Sequence, residues 1–260
     1  MSNNICRLTG RTGSFVRCHL IPSALTRVGE PGQPLAQFGS GRRPARRWAS
    51  WYDDRLVIRE GEEIFTDLDT FAISTFRTHK LIWSSWGRAT TVPAKLSLLP
   101  PVGAVRSIRG INGPRLRLFL LSLLWRAAMT DRPEFSEVSI PEQDVQAVGR
   151  MVVEGTASPL DYYSASLIQI TTRGPSQNLT RLADAKVIPN QPGLGHQTVP
   201  MFRFYFDGLI AHIHKAPLGD LALTPSMVGA SNNLIVNTVP YERSFQSANL
   251  RAVLANSRPS

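Results

Sequence analysis

Cys6-Arg7-Leu8-Thr9-Gly10, followed by Gly13-Ser14-Phe15-Val16-Arg17-Cys18-His19-Leu20-Ile21-Pro22, decides how the N-terminal part of this chain is read. Thr9-Gly10 reads as a turn. Phe15 onward reads as a short apolar strand that carries a histidine and is closed by Ile21-Pro22. A structural zinc takes four sulfur or imidazole ligands, usually offered as paired Cys-x-x-Cys knuckles. The residue three after Cys6 is Thr9, so half of such a knuckle is missing. Cys18 and His19 are adjacent on a strand and point to opposite faces, which keeps them from meeting one ion. Cys18 reads instead as a small buried hydrophobe, and structural zinc is not expected.

Working outward, Arg55-Leu56-Val57-Ile58 is a second strand, and Gly61 marks a turn before a helix. Over residues 62–83, Ile64, Phe65, Leu68, Phe71, Ala72, Phe76 and Ile82 recur mostly three and four apart, which predicts an amphipathic helix. Glu62, Glu63 and Asp67 fall in its first turns, where carboxylates favour the positive end of the helix dipole. The order is strand, strand, helix. His19 on the strand is a candidate general base for activating water, and Glu62, Glu63 and Asp67 are candidate ligands for a divalent ion. The competing reading of His19 is a satisfied structural histidine.

The chain carries 29 Lys and Arg against 19 Asp and Glu, a formal net charge of +10, and 25 of the 29 cations are Arg. Arg forks onto phosphate with paired donors, so such a balance suits nucleic acid or another polyanion. Residues 28–47 are rich in Gly, Pro and Arg and predict an exposed loop. Arg42, Arg43, Arg46 and Arg47 precede Trp48 and Trp51, a pattern that can grip backbone phosphate and stack bases. Equally, Trp48, Trp51 and Tyr52 can anchor that loop to the core. The two cysteines, Cys6 and Cys18, without a basic start and apolar run ahead of them, point to a reducing cytoplasm.

Residues 93–114 read as irregular, and a soft boundary is placed near 105, dividing 1–105 from 106–260. Pro114 suits the first turn of a helix reaching about Met129. Its apolar core, Leu118-Phe119-Leu120-Leu121-Ser122-Leu123-Leu124-Trp125, is too short for a hydrocarbon layer that needs about 20 residues. A second helix covers 141–153, and Leu167-Ile168-Gln169-Ile170-Thr171-Thr172 is a strand candidate. Asp207-Gly208 between two alternating runs is a hairpin signal. It pairs Phe206 with Leu209, Phe204 with Ala211 and Phe202 with Ile213 on one apolar face. Tyr205 with Ile210, Arg203 with His212, and Met201 with His214 fall on the other. His212 and His214 share that second face at a spacing metal sites use, but Arg203 opposite favours a solvated strand face. The tail after about 243 reads as loosely held.

Gly13-x-Phe15-Val16-x-x-His19-Leu20-Ile21-Pro22 resembles the opening of bacterial HNH-type proteins, in which two Cys-x-x-Cys knuckles flank the histidine strand. Arg55-Leu56-Val57-Ile58-x-x-Gly61-Glu62-x-x-Phe65 resembles their second knuckle, with Ile58 and Gly61 where cysteines would stand. The resemblance covers about the first 140 residues. It implies an α+β protein with an N-terminal ββα-metal-like unit, then a helical region and a C-terminal antiparallel hairpin region. It implies a Mg²⁺- or Mn²⁺-dependent endonuclease acting on DNA or RNA through His19, in a bacterial defence setting. The alternative is a non-catalytic nucleic-acid-binding or interaction module that keeps the scaffold. The second histidine or asparagine of the family is not evident near the helix start.

Overall fold

The structure, a computed structural model, describes residues 4–26, 35–37, 45–47, 50–99, 103–175, 177–178, 182–189 and 196–256. Strands β1 (Asn4–Ile5) and β2 (Thr12–Gly13) pair antiparallel around the Thr9-Gly10 turn. β3 (Phe15–His19) leads to a one-turn helix, α1 (Ser23–Thr26), and to two paired strands, β4 (Leu35–Gln37) and β5 (Ala45–Arg47). The partner of β3 is β6 (Tyr52–Ile58), antiparallel to it, with a register shift between Val16 and Cys18.

β6 passes without a break into α2 (Arg59–Thr78), so Gly61 lies inside the helix rather than in a turn before it. Space explains the glycine. A Cβ at position 61 would come 3.0 Å from the Val57 Cβ and 3.1 Å from the Cys6 sulfur. α2 buries Phe65, Leu68, Ala72 and Phe76, the face its spacing predicts.

The stretch read as irregular in fact holds two strands, β7 (Ser97–Leu99) and β8 (Gly103–Arg109). The arginine that disguised β8, Arg106, is buried and hydrogen-bonded, donating to the His79 carbonyl at 2.7 Å. α3 (Gly113–Met129) follows. The Asn112 side chain caps it by accepting the Arg115 N–H at 3.0 Å, and Pro114 lies in its first turn. Every residue from 116 to 127 is buried, because α3 runs between α2, α4 (Glu142–Glu154) and a sheet. The Phe119 ring lies 5.8 Å from that of Phe76 on α2 and 6.3 Å from Phe206 on the sheet.

That sheet is mixed and seven-stranded. Besides β7 and β8 it contains β9 (Ala165–Ile170), β11 (Ala183–Pro189), β12 (His196–Phe206), β13 (Leu209–His214) and β14 (Asn233–Val239), with β10 (Gln177–Asn178) set apart against β4. The order is β11-β12-β13-β9-β14-β8-β7, and β9 and β14 run parallel. The β12–β13 register is the one expected, from Phe206↔Leu209 to Met201↔His214. Its turn places Asp207 at φ 46° and Gly208 at φ 85°, the conformation Asp-Gly favours.

The Phe face of this hairpin packs on α3. One core cluster takes in residues from Cys6 to Val236, so apolar interior is continuous across position 105. The opposite face carries a smaller cluster of Trp83, Trp86, Tyr205 and Tyr241. Within the tail, residues Phe245–Asn256 form a helix, α5, whose Gln246 and Ser247 are buried. The fold is α+β, with five α-helices and this sheet among the described residues. No helix among them is long and apolar enough to cross a membrane.

Candidate functional site

The β1–β2 hairpin closes by Gly10 N–H donating to the Cys6 carbonyl at 2.9 Å, and Arg7 N–H ties it to β6 through the Leu56 carbonyl at 2.9 Å. Cys6 therefore sits against the first turn of α2, beside Gly61 and Val57. Cys6 and Cys18 are both free and buried.

Cys18 and Leu20 are fully buried, whereas His19 between them is half-buried and faces away from α2. Glu62 points beneath β3 to the Cys18 thiol. Seven residues along the same helix face stands Asp69, which sequence reasoning missed. Between these acids and β3 lies the guanidinium of Arg126 from α3, 0% exposed. It donates to Asp69 at 2.7 and 3.0 Å, to the His19 carbonyl at 2.7 Å, and to the Ser122 hydroxyl at 3.0 Å. It also lies 4.7 Å from the centre of the Phe65 ring.

Burial alone would pull the Arg126 pKa down. Attraction to Asp69, the hydrogen bonds between them, and the nearby Cys18 and Glu62 outweigh it and hold the guanidinium above its ordinary value. Burial pushes the Cys18 thiol far up, with Arg126 opposing, so it is not a reactive thiolate. Burial likewise raises Glu62, against the Cys18 hydrogen bond and Arg126, and its Oε2 has no hydrogen-bond partner among the described residues.

The other two expected ligands go elsewhere. Asp67 is exposed and accepts from Arg115 Nη2 on α3 at 2.6 Å. Glu63 faces solvent at the rim of an open groove of about 750 Å³ between α2 and the α3–α4 pair. A helix turns about 100° per residue, so positions 62, 63 and 67 span too wide an arc to converge. Among the described residues, no group of three or more His, Cys, Asp or Glu stands close enough to hold a metal ion.

On the outer face of β3, Tyr52 is the direct cross-strand partner of His19, so the two side chains share that face. The Arg17 guanidinium lies 4.2 Å from the Tyr52 ring centre and that of Arg132 lies 5.1 Å from it. Arg132 also donates to the Tyr52 carbonyl. Asp54 partly balances Arg17 at 3.5 Å. Trp51, next in line, is buried edge-on against Phe135 and acts as an anchor.

Arg42, Arg43 and Trp48 lie outside the described residues. Arg46 and Arg47 are placed only as backbone, on β5 opposite Ala36 and Leu35. Arg126 carried a signal that could have found it, a charge inside an apolar helix, and Glu62 with Asp69 is a seven-residue spacing on one helix face. Comparison with family models, with curated proteins and with solved structures finds no match.

Proposed function

We propose that this chain is a nucleic-acid-binding module that keeps an HNH-like strand–strand–helix scaffold and binds backbone phosphate without metal-dependent hydrolysis. The observation that carries this reading is the guanidinium of Arg126, which fills the space between α2 and β3 and is neutralised there by Asp69. A divalent ion in that space would meet a fixed cation rather than a set of carboxylates, and Glu62 faces the Cys18 thiol instead of His19. The donor set therefore does not fit Mg²⁺ or Mn²⁺. The outer face suits an anion. Arg17, Arg132 and the imidazole of His19 surround Tyr52, and guanidiniums present paired donors to phosphate.

Fluorescence anisotropy with labelled single- and double-stranded DNA and RNA across a salt series tests this. Affinity falls with salt, and Arg17→Ala or Arg132→Ala each lowers the steepness of log K against log salt by about 1. Plasmid incubated with Mg²⁺ or Mn²⁺ stays intact. Metal-dependent cleavage that His19→Ala abolishes would make the protein a nuclease instead, and absence of binding at low salt would remove the nucleic-acid reading.

A further inference from the structure

Arg203 on the second face of the β12–β13 hairpin predicts solvent there, yet His212 and His214 on that face are buried. Cross-strand pairing puts Arg203 and Ser166 on the same face as His212, and Met201 and Asp184 in line with His214. α5 lies over this face, because the Arg203 guanidinium sits 3.6 Å from the ring centre of Phe245 in its first turn.

Buried polar atoms normally find partners, and leaving one unpaired costs about 1–3 kcal/mol. Here Nδ1 of His212, both ring nitrogens of His214 and the Ser166 hydroxyl have none among the described residues. The chemistry of these atoms is readable. His212 Nε2 accepts from Arg203 Nε at 3.2 Å, so the proton of the neutral ring is on Nδ1, which is then a buried donor. A neutral His214 adds one N–H, Ser166 adds an O–H, and the Lys186 ammonium lies close enough to both imidazoles to act on them electrostatically. Arg203 is neutralised by Asp184 at 2.6 Å, which leaves Lys186 as the cation that the described residues of the cluster do not balance.

We propose that this stripe between the sheet and α5 binds a tetrahedral oxyanion, phosphate as the free ion or as the head of a small phosphomonoester. These donors, the Lys186 ammonium among them, lie on one sheet face along β13, β9 and β11, so the ligand is rich in acceptors and negatively charged. The unbalanced charge of Lys186 disfavours a metal ion there. Burial, with Arg203 and Lys186 adding to it, holds His212 well below its ordinary pKa. Burial and then Lys186 bring His214 to about 4, so both rings are neutral donors near pH 7.

The test follows the imidazole resonances of the whole chain by NMR, during titration with inorganic phosphate, sulfate and glycerol phosphate at constant ionic strength. The His212 and His214 signals shift and saturate, and the thermal midpoint rises with anion concentration. Lys186→Met and Ser166→Ala each weaken binding by about tenfold or more while leaving the ligand-free thermal midpoint close to wild type. Tighter binding of the ester identifies a phosphorylated small molecule, and tighter binding of phosphate identifies the ion. Rings that stay unmoved by all three anions, or that respond to Zn²⁺ alone, overturn the proposal. So does saturation that neither variant weakens, since the anion then sits elsewhere.

Discussion

Asp69 and Arg126 meet in a two-pronged ion pair, Nη2 donating to Oδ1 at 2.7 Å and Nη1 to Oδ2 at 3.0 Å, at the junction of α2, α3 and β3. Breaking a buried pair from one side leaves a charge uncompensated, which costs about 3–5 kcal/mol. Arg126→Met is therefore expected to lose stability in that range, because Asp69 and the neighbouring Glu62 keep their carboxyl groups. Asp69→Asn combined with Arg126→Met should cost less than the sum of the single changes. Urea unfolding of the four proteins measures the coupling, and additive losses would show that the pair does not act as a unit.

Gly61 gives a second expectation. Alanine there needs either Val57 or the Cys6 sulfur to move, since its Cβ would stand 3.0 and 3.1 Å from them. Overpacking of that kind costs about 1–3 kcal/mol. Cys6→Ala in the same chain should recover only part of the loss, because the contact with Val57 remains. Gly10→Ala is the control. Nothing lies within 4 Å of a Cβ there, so its cost comes only from a φ of +70° and should be about 1 kcal/mol, measured by the same urea titration.

The hairpin from Met201 to His214 is legible in the sequence because turn chemistry and face sorting are both local and agree. β8 and β14 are not. β14 pairs in parallel with β9, about 70 residues away in sequence, and no local turn signal marks that partnership. β8 is masked by Arg106, whose donors are satisfied by Gln169 and by the end of α2, contacts no local pattern predicts. At the site, residue type and position single out His19 and Glu62 but not how they stand to each other. Strand alternation puts Cys18 and His19 on opposite faces, but the candidate chemistry needs His19 on the helix side, and only tertiary packing turns Cys18 there instead and brings Arg126 into the gap.

Asp207 yields a pH-dependent expectation. Burial raises its carboxyl from an ordinary value of 3.8 to about 6, against the hydrogen bonds from Ser84 that favour the charged form. The folded state thus holds its proton at a pH where the unfolded chain has released it. This contribution to stability is complete below about pH 4 and is lost as pH rises through 6. A displacement of that size is worth about 3 kcal/mol. Asp207→Asn keeps an oxygen for the Ser84 N–H and suits the turn. The variant is expected to gain on wild type from pH 4 to 7, by up to that amount, and a constant difference across urea titrations at pH 4, 5, 6 and 7 would remove the assignment.

His214 carries the opposite sign. Its pKa is depressed to about 4, so below 6.5 the unfolded chain takes up a proton that the folded ring refuses. Stability is unaffected above about pH 6.5 and is lost as pH falls from there toward 4, by about 3 kcal/mol in all. Burial first, and then the Lys186 ammonium, set this direction. Lys186, Arg203 and a second imidazole at His212 stand nearby, and Asp184 is engaged by Arg203. His214→Phe should flatten the acid limb of the stability curve, measured by urea unfolding from pH 7 to 4.5. Added phosphate should reduce the same loss in wild type, since a bound anion favours the protonated ring, and it should do nothing for the Phe variant's slope. An acid limb equally steep in both proteins would show that His214 titrates as it does in the unfolded chain.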